Sequence, residues 1–230
     1  MKLSVEKLVE ITGGKIVVGE KSACEFGIST DTRTIQKEEL FIPLKGENFD
    51  GHDFIKAAVE KGCGGFFTEK GLSEVAQRDY KGYVIKVDDA LEAYLRIARY
   101  ARREINPQIV AVTGSAGKTS TKELIFCVLA TTFRTHKSAL NYNNEIGLCR
   151  TLLSMPNDTQ YAVVEMGMRG LGEIELLSKY SEPDIAVITN VGTAHIGRLG
   201  SIENIAKAKC EITSYLKKGG LFLSHDDKLV

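Results

Sequence analysis

The sequence predicts an α/β fold in two parts: a small α+β unit, then a parallel sheet covered by helices on both faces. Three observations carry this. Up to residue 105, short apolar runs separated by polar turns mix with isolated helical patterns. The polar stretch Arg102-Arg103-Glu104-Ile105-Asn106-Pro107 then breaks the pattern, and Pro107 disfavours helix at the residue before it. Beyond it, strand-like runs alternate with helical stretches, the order that gives a parallel sheet buried on both sides. The expected domains are therefore 1–105 and 106–230, consistent with a chain of 230 residues.

Ser4 fits an N-cap for a helix carrying Val5, Leu8 and Val9, which Gly13-Gly14 would stop. Lys15–Val18, Glu25–Ser29 and Leu40–Leu44 read as strands. Asp53 is the expected cap of a second helix (Phe54, Ala57, Ala58, Val59) ending at Gly62, followed by a strand at Gly64–Thr68. Tyr83–Val87 is a further strand, and Asp88-Asp89 cap a helix with Leu91, Tyr94, Leu95, Ala98 and Ala101 on one face. In the second part, Ile109–Val112, Tyr161–Glu165, Ile185–Thr189 and Leu221–Ser224 are the expected parallel strands.

Thirty Lys+Arg balance thirty Asp+Glu, so no overall charge draws the chain to nucleic acid or an acidic membrane, and any anion site must be local. Five cysteines (Cys24, Cys63, Cys127, Cys149, Cys210) without a Cys-x-x-Cys pair fit a reducing compartment rather than a disulfide scaffold. The amino terminus lacks the apolar stretch of a signal peptide, and no apolar run approaches the ~20 residues that span a bilayer. A cytoplasmic protein is expected.

Gly114-Ser115-Ala116-Gly117-Lys118-Thr119-Ser120 follows the apolar run Ile109–Thr113 and precedes the helix-like stretch Lys122–Ala130. Strand, glycine turn and helix form a phosphate cradle. Glycines let backbone N–H groups face an anion, the helix N-terminus adds partial positive charge and Lys118 a full one; the Thr119 hydroxyl suits Mg²⁺. Val112 occupies the first glycine position of the usual Gly-x4-Gly-Lys-Ser/Thr pattern, so the loop is a shorter Thr-Gly-x-x-Gly-Lys-Thr form.

In an open parallel sheet, ligands sit beyond the carboxyl ends of the strands. Glu165 and His195 both follow strand ends and should reach the rim that holds the glycine loop. They suit divalent-metal ligation or contact with a phosphate oxygen. Taken singly, they read better as a solvated loop glutamate and a loop histidine satisfied by backbone. Lys209 lies among Ile202, Ile205, Ile212 and Leu216 on the apolar stripe of a helix opened by Ser201, whereas Lys207 projects to the opposite side. An interior lysine is costly unless paired, neutral or modified. Burial lowers its pKa, and a neutral amine can add CO₂ to become a carbamate, an oxygen ligand for Mg²⁺. The alternative is a stem that snorkels to solvent.

Thr113–Ser120, Glu165-Met166-Gly167, Thr189-Asn190-Val191-Gly192 with His195, and Ala208-Lys209-x-Glu211-Ile212 together resemble the Mur ligases of peptidoglycan synthesis. Thr30-Asp31-Thr32-Arg33 and the segment from Leu40 through Lys45-Gly46 to Phe54 look like that family's UDP-sugar-binding domain. Asn141-Tyr142-Asn143-Asn144-Glu145-Ile146-Gly147 is similar to a segment of its D-alanyl-D-alanine-adding branch. The resemblance implies a UDP-muramoyl-peptide-binding domain (1–105) and a P-loop ATPase domain (106–230). It implies ATP, two Mg²⁺ and a carbamylated Lys209. The implied substrates are UDP-N-acetylmuramoyl-tripeptide and D-alanyl-D-alanine; no nucleic acid or membrane partner is expected from the charge balance, and a monomer is expected. It also assigns roles. Gly114 to Ser120 would hold ATP, and Lys118, Asn144, His195 and Lys209 would serve the chemistry. Thr119, Glu165, His195 and Lys209 would hold metal, and Thr32, Arg33, Lys45, Gly46, Asn143 and Asn144 the UDP-tripeptide.

The chain departs from the family pattern at Leu140, where glycine is usual, at Cys149, where proline is usual, and at Ser224-His225-Asp226-Asp227, in place of Asn-x-Asp-Asp. Family members continue into a third domain, so the expectation is a truncated ligase that does not turn over alone. A non-catalytic fragment that binds UDP-muramoyl peptide and ATP is the alternative. An unrelated P-loop kinase is disfavoured by the lack of a strand-end Asp motif.

Overall fold

The computed structural model describes residues 1–20, 23–71, 80–217 and 219–224. His225, Asp226 and Asp227 lie outside the described residues. The chain divides into two compact units, Met1–Ile97 and Ala98–Val230.

In the first unit, β1 (Leu3–Ser4) leads into α1 (Val5–Thr12). As expected, the Ser4 hydroxyl accepts from the Lys7 N–H at 3.2 Å, and Gly13 closes the helix at φ 73°, a left-handed conformation that glycine adopts without steric penalty. The strands β2 (Lys15–Val18), β3 (Glu25–Ser29), β4 (Glu39–Phe41), β5 (Gly65–Thr68) and β6 (Tyr83–Lys86) complete a six-stranded sheet in the order β1-β3-β4-β5-β6-β2. Its inner pairings are parallel, and β1 and β2 join antiparallel at the edges. Phe41, Phe66 and Val84 from the sheet pack with Ile55 and Ala58 of α2 (Ile55–Glu60).

The cap expected at Asp53 belongs instead to Asp50. Its carboxylate accepts from the His52 N–H at 2.9 Å and caps a 3-10 turn, Gly51–Phe54, while α2 starts after Phe54 with no side-chain cap. The same Asp50 oxygen lies 2.7 Å from His52 Nδ1, and His52 Nε2 accepts from the Glu69 N–H at 3.2 Å. An imidazole that accepts at Nε2 carries its proton on Nδ1, so this half-polar cluster turns the chain earlier than the aspartate spacing suggests. Farther on, Asp89 accepts from the Glu92 N–H at 2.8 Å to start α3 (Ala90–Ile105), as expected.

The second unit holds β7 (Gln108–Thr113), α4 (Lys118–Ala130), β8 (Thr135–Lys137), α5 (Glu145–Leu153), β9 (Tyr161–Glu165), α6 (Glu173–Ser181), β10 (Ile185–Ile188), α7 (Ile196–Leu199), α8 (Ile202–Cys210) and β11 (Leu221–Leu223). Its five strands run in the order β11-β10-β7-β9-β8, and every pairing is parallel, as the alternating pattern requires. Val110, Val112 and Val163 pack against Ile125, Phe126 and Leu129 of α4. From β7 the chain winds out to β8, returns through β9, then crosses to β10 on the other side. The winding therefore reverses beside β7, where open sheets bind ligands. Among the described residues, no helix is long and apolar enough to cross a membrane.

Candidate functional site

The glycine loop leaves the carboxyl end of β7 and enters α4, and each glycine has its own reason. Gly114 (φ 153°) lies so close to Thr189 that any Cβ would collide with the threonine hydroxyl. Gly117 (φ 77°) has open space around it and is required only for its left-handed backbone at the start of α4. The loop is tied to the segment after β10. Ser115 N–H donates to Asn190 O at 3.0 Å, Ala116 N–H to Asn190 Oδ1 at 3.0 Å, and Gly192 N–H to the Ser115 hydroxyl at 2.8 Å. Thr189-Asn190-Val191-Gly192 thus braces the loop from the far side of the switch point. The N–H groups of Lys118, Thr119 and Ser120 open α4 with no partner among the described residues, the donors that a helix N-terminus offers an anion. Lys118 folds back over the loop, and its Nζ donates to Gly114 O at 2.9 Å.

Glu165 ends β9 and is 2% exposed. Thr119 donates its hydroxyl proton to Oε2 at 2.8 Å, and Asn143 Nδ2 donates to Oε1 at 3.0 Å. Parallel pairing of β7 and β9 makes this possible, because Val112 and Glu165 are in register and bring the two strand ends level. A hydroxyl and a carboxylate oxygen side by side at a helix N-terminus form a hard oxygen pair suited to Mg²⁺. Asn143 arrives on the loop between β8 and α5, whose backbone approaches β9 closely: Gly167 N–H donates to Asn143 O at 2.7 Å, and a Cβ on Gly167 would stand 2.9 Å from the Asn143 side chain. Asn144 has a different task. Its Oδ1 accepts from the Gly147 N–H at 2.9 Å and caps α5.

Leu140 gives the departure noted in the sequence a physical meaning. It is 76% exposed and sits at φ 44°, where a Cβ clashes with its own backbone and glycine does not. Cys149 is fully buried in α5, and burial pushes its thiol well above the ordinary value.

Ser201 caps α8 by accepting from the Asn204 N–H at 3.2 Å. Lys209 on that helix is 2% exposed, while Lys207 is exposed, as the stripe requires. Burial, and then the charge of Lys118, lower the Lys209 amine to about 8. It has no hydrogen bond or ion pair among the described residues. The adjoining Glu211, whose role the sequence does not reveal, accepts from the N–H groups of Gly172 and Glu175 at 2.8 and 3.3 Å, placing a carboxylate over the start of α6. Ser178 of α6 donates to Ile212 O at 2.9 Å, so the end of α8 that carries Lys209 is pinned from both sides. His195 stands exposed at φ 66° ahead of α7, and its side chain has no hydrogen bond or ion pair among the described residues. No three His, Cys, Asp or Glu side chains converge on a common point among the described residues. Lys122, also missed in the sequence, is fully buried beside Glu165, at 3.8 Å.

In the first unit, Arg33 is 87% exposed in its side chain and held by Asp31, with NH2 2.6 Å from Oδ2. Lys45 pairs with Glu69, and the Phe49 ring packs where a Cβ on Gly46 would stand. Thr32, next to Arg33 in sequence, is half-buried.

A family model described as the Mur ligase middle domain matches residues 112–230, and one described as Mur ligase family, catalytic domain, matches residues 26–113. The chain is 42% identical over 229 residues to the UDP-N-acetylmuramoyl-tripeptide–D-alanyl-D-alanine ligase of Bacillus subtilis (strain 168), covering 99% of this chain and 50% of that protein. It is 33% identical to the protein of the same name from Escherichia coli (strain K12), covering 99% and 48%. Among solved structures, MurF from Acinetobacter baumannii superposes with a TM-score of 0.92 at 32% identity, covering 99% of this chain and 50% of that one. MurF ligase from Thermotoga maritima in complex with ADP does so at 0.79 and 30%, covering 88% and 46%. The chain spans about half the length of the curated relatives it matches.

Proposed function

The chain belongs to the Mur ligase family, and from that premise we propose that it carries the ATP site of a ligase that joins D-alanyl-D-alanine to UDP-N-acetylmuramoyl-tripeptide. The observation that supports this most is the contact between Thr119, at the start of the phosphate-loop helix, and the buried carboxylate of Glu165. The relatives' names supply the acceptor pair, and the ADP in the Thermotoga maritima structure supports the nucleotide.

A carboxylate resists attack by an amine, so it is first phosphorylated. The γ-phosphate of ATP passes to the terminal carboxylate of the tripeptide. The dipeptide amine then attacks the acyl carbon, and the C–O bond to phosphate breaks as the amide forms. The chain's part is positioning and charge balance. The first-turn N–H groups of α4 hold phosphate oxygens, and Lys118 swings from Gly114 O to the β- and γ-phosphates. Thr119 and Glu165 would hold one Mg²⁺, and His195 with a carbamate on Lys209 would hold a second. Bound Mg²⁺ neutralises charge on the transferring phosphoryl group. Glu165 and Thr119 fit as adjacent oxygens, and Lys209 is buried, unpaired among the described residues and lowered toward its neutral form, while His195 stands apart from them in this structure. Asn143 steers the peptide carboxylate, while Asn144 acts on that end through the loop it closes by capping α5. Thr32, Arg33, Lys45 and Gly46 take the UDP portion. Arg33 and Lys45 then exchange or share the carboxylates of Asp31 and Glu69 with the diphosphate. Five cysteines with no disulfide among the described residues support a cytoplasmic setting.

Titration calorimetry with Mg²⁺–ADP tests the nucleotide site on the chain itself. Binding should vanish with Lys118→Ala, and Glu165→Gln should remove its dependence on Mg²⁺. Equal binding by all three proteins would sink the assignment.

A further inference from the structure

Lys122 is a fully buried cation one turn beyond the phosphate loop. Its Nζ donates to Ser138 O at 2.9 Å and to Leu140 O at 3.0 Å. It also stands 3.4 Å from Glu123 Oε1 and 3.8 Å from Glu165 Oε2. A dehydrated ammonium is tolerated only when its donors are used, and here two go to the backbone of one irregular segment, the loop from Ser138 to Asn144.

The loop closes on itself through Tyr142 N–H to Ala139 O at 3.0 Å and Asn143 N–H to Asn141 O at 2.8 Å. It contains no helix or strand, and Leu140 keeps an unfavourable left-handed backbone at its tip. At its near end Ser138 N–H donates to Val163 O at 2.9 Å, and at its far end Gly167 N–H reaches Asn143 O at 2.7 Å. Between these anchors, Lys122 ties the Ser138 and Leu140 carbonyls on either side of Ala139 to α4 and so fixes where the closed turn sits. That placement sets where Asn143 emerges, and Asn143 donates to Glu165. Thr119 and Lys122 are three residues apart on α4 and so lie on one face. One helix therefore meets the same carboxylate through the Thr119 hydroxyl, through the Lys122 ammonium at 3.8 Å, and by way of the asparagine loop that Lys122 holds.

We propose that Lys122 is a positioning residue: its buried ammonium fixes the backbone at Ser138 and Leu140 and thereby presents Asn143 to Glu165, coupling the phosphate-loop helix to the segment that meets the peptide acceptor. The consequence for the acceptor rests on the function proposed above; the positioning does not.

NMR on the isotope-labelled 230-residue chain tests it in two ways. In the unsubstituted protein, the Lys122 ammonium should exchange slowly and show couplings across its hydrogen bonds to the Ser138 and Leu140 carbonyl carbons. In Lys122→Met, the Asn143 side-chain amide signal should move to its solvent-exposed position. Exchange of the Gly167 N–H should rise about tenfold or more, while β7 amides keep their protection. A merely structural lysine would lower protection throughout without moving the Asn143 signal selectively. The proposal is overturned by a folded Lys122→Met with unchanged Asn143 and Gly167 signals. If that variant does not fold, the ammonium measurement decides alone, and fast exchange without couplings overturns it. An unchanged Mg²⁺–ADP affinity in Glu165→Gln would count against the metal assignment and leave these outcomes untouched.

Discussion

Lys209→Met should stabilise the folded chain at pH 7 by up to about 3 kcal/mol, and that gain should fade as the pH approaches 10. The folded amine titrates at about 8, and the unfolded one at about 10.4. Between those values the unfolded chain binds more protons than the folded one, so stability of the unsubstituted protein rises with pH across the window. Below about 8 the full penalty of burying an ammonium is present; above about 10.4 both states are neutral and it is gone. Methionine has a similar stem and no charge, so it escapes the penalty at every pH. The comparison is made by urea denaturation in CO₂-free buffer, because a carbamate would change the charge being tested. A difference between the two proteins that stays flat from pH 7 to 10 would mean that the amine reaches solvent. A residue that lowers stability where it stands, inside a helix stripe that could hold leucine, fits a site kept for chemistry.

Arg102→Ala should destabilise the second unit by roughly 3–5 kcal/mol, the usual effect of removing one member of a buried charge network. Arg102 is 1% exposed on α3. It donates to Ser181 O at 2.8 Å, Glu182 O at 3.1 Å and Asp184 Oδ2 at 3.2 Å. The first two are carbonyls at the end of α6, where Glu182 takes a left-handed turn at φ 48°, and Asp184 also accepts from Ile109 N–H at the start of β7. One guanidinium thus joins α3, the end of α6 and the entry to the strand that carries the phosphate loop. Burial would raise the Glu182 carboxyl, but hydrogen bonds from Arg103 and Arg99 outweigh it and hold the group at about 2. Arg103 is 56% exposed in its side chain, so Arg103→Ala should lose less than about 1 kcal/mol. Thermal unfolding of the two variants checks the contrast, and equal losses would contradict it.

The phosphate loop was legible because strand, glycines and lysine are contiguous in the sequence, and Lys209 because a charge on an apolar stripe is visible from spacing alone. The parallel sheet followed from alternation of strand and helix. What escaped depends on groups brought from elsewhere. β8 (Thr135–Lys137) is a short edge strand whose Thr-His-Lys sequence has no apolar alternation, and it forms because β9 offers a ladder. Lys122 looks like a solvated helix lysine until the carbonyls of Ser138 and Leu140 arrive above it. Glu211 reads as surface charge until the start of α6 meets it. Asp53 resembled a cap by position, but Asp50 bonds the His52 backbone and ring together and ends the competition. Asn143 and Asn144 stood out through the family-like segment Asn141–Gly147, and the fold adds that one side chain meets Glu165 while the other caps α5.

Phosphate release from ATP, measured with this chain joined to the portion of the Bacillus subtilis ligase that it does not match, tests the proposed chemistry most directly. Release should require UDP-N-acetylmuramoyl-tripeptide and D-alanyl-D-alanine together, should accompany amide formation, and should be lost with Lys118→Ala. No release with all three substrates present, or release indifferent to the tripeptide, would contradict carboxylate activation at this loop.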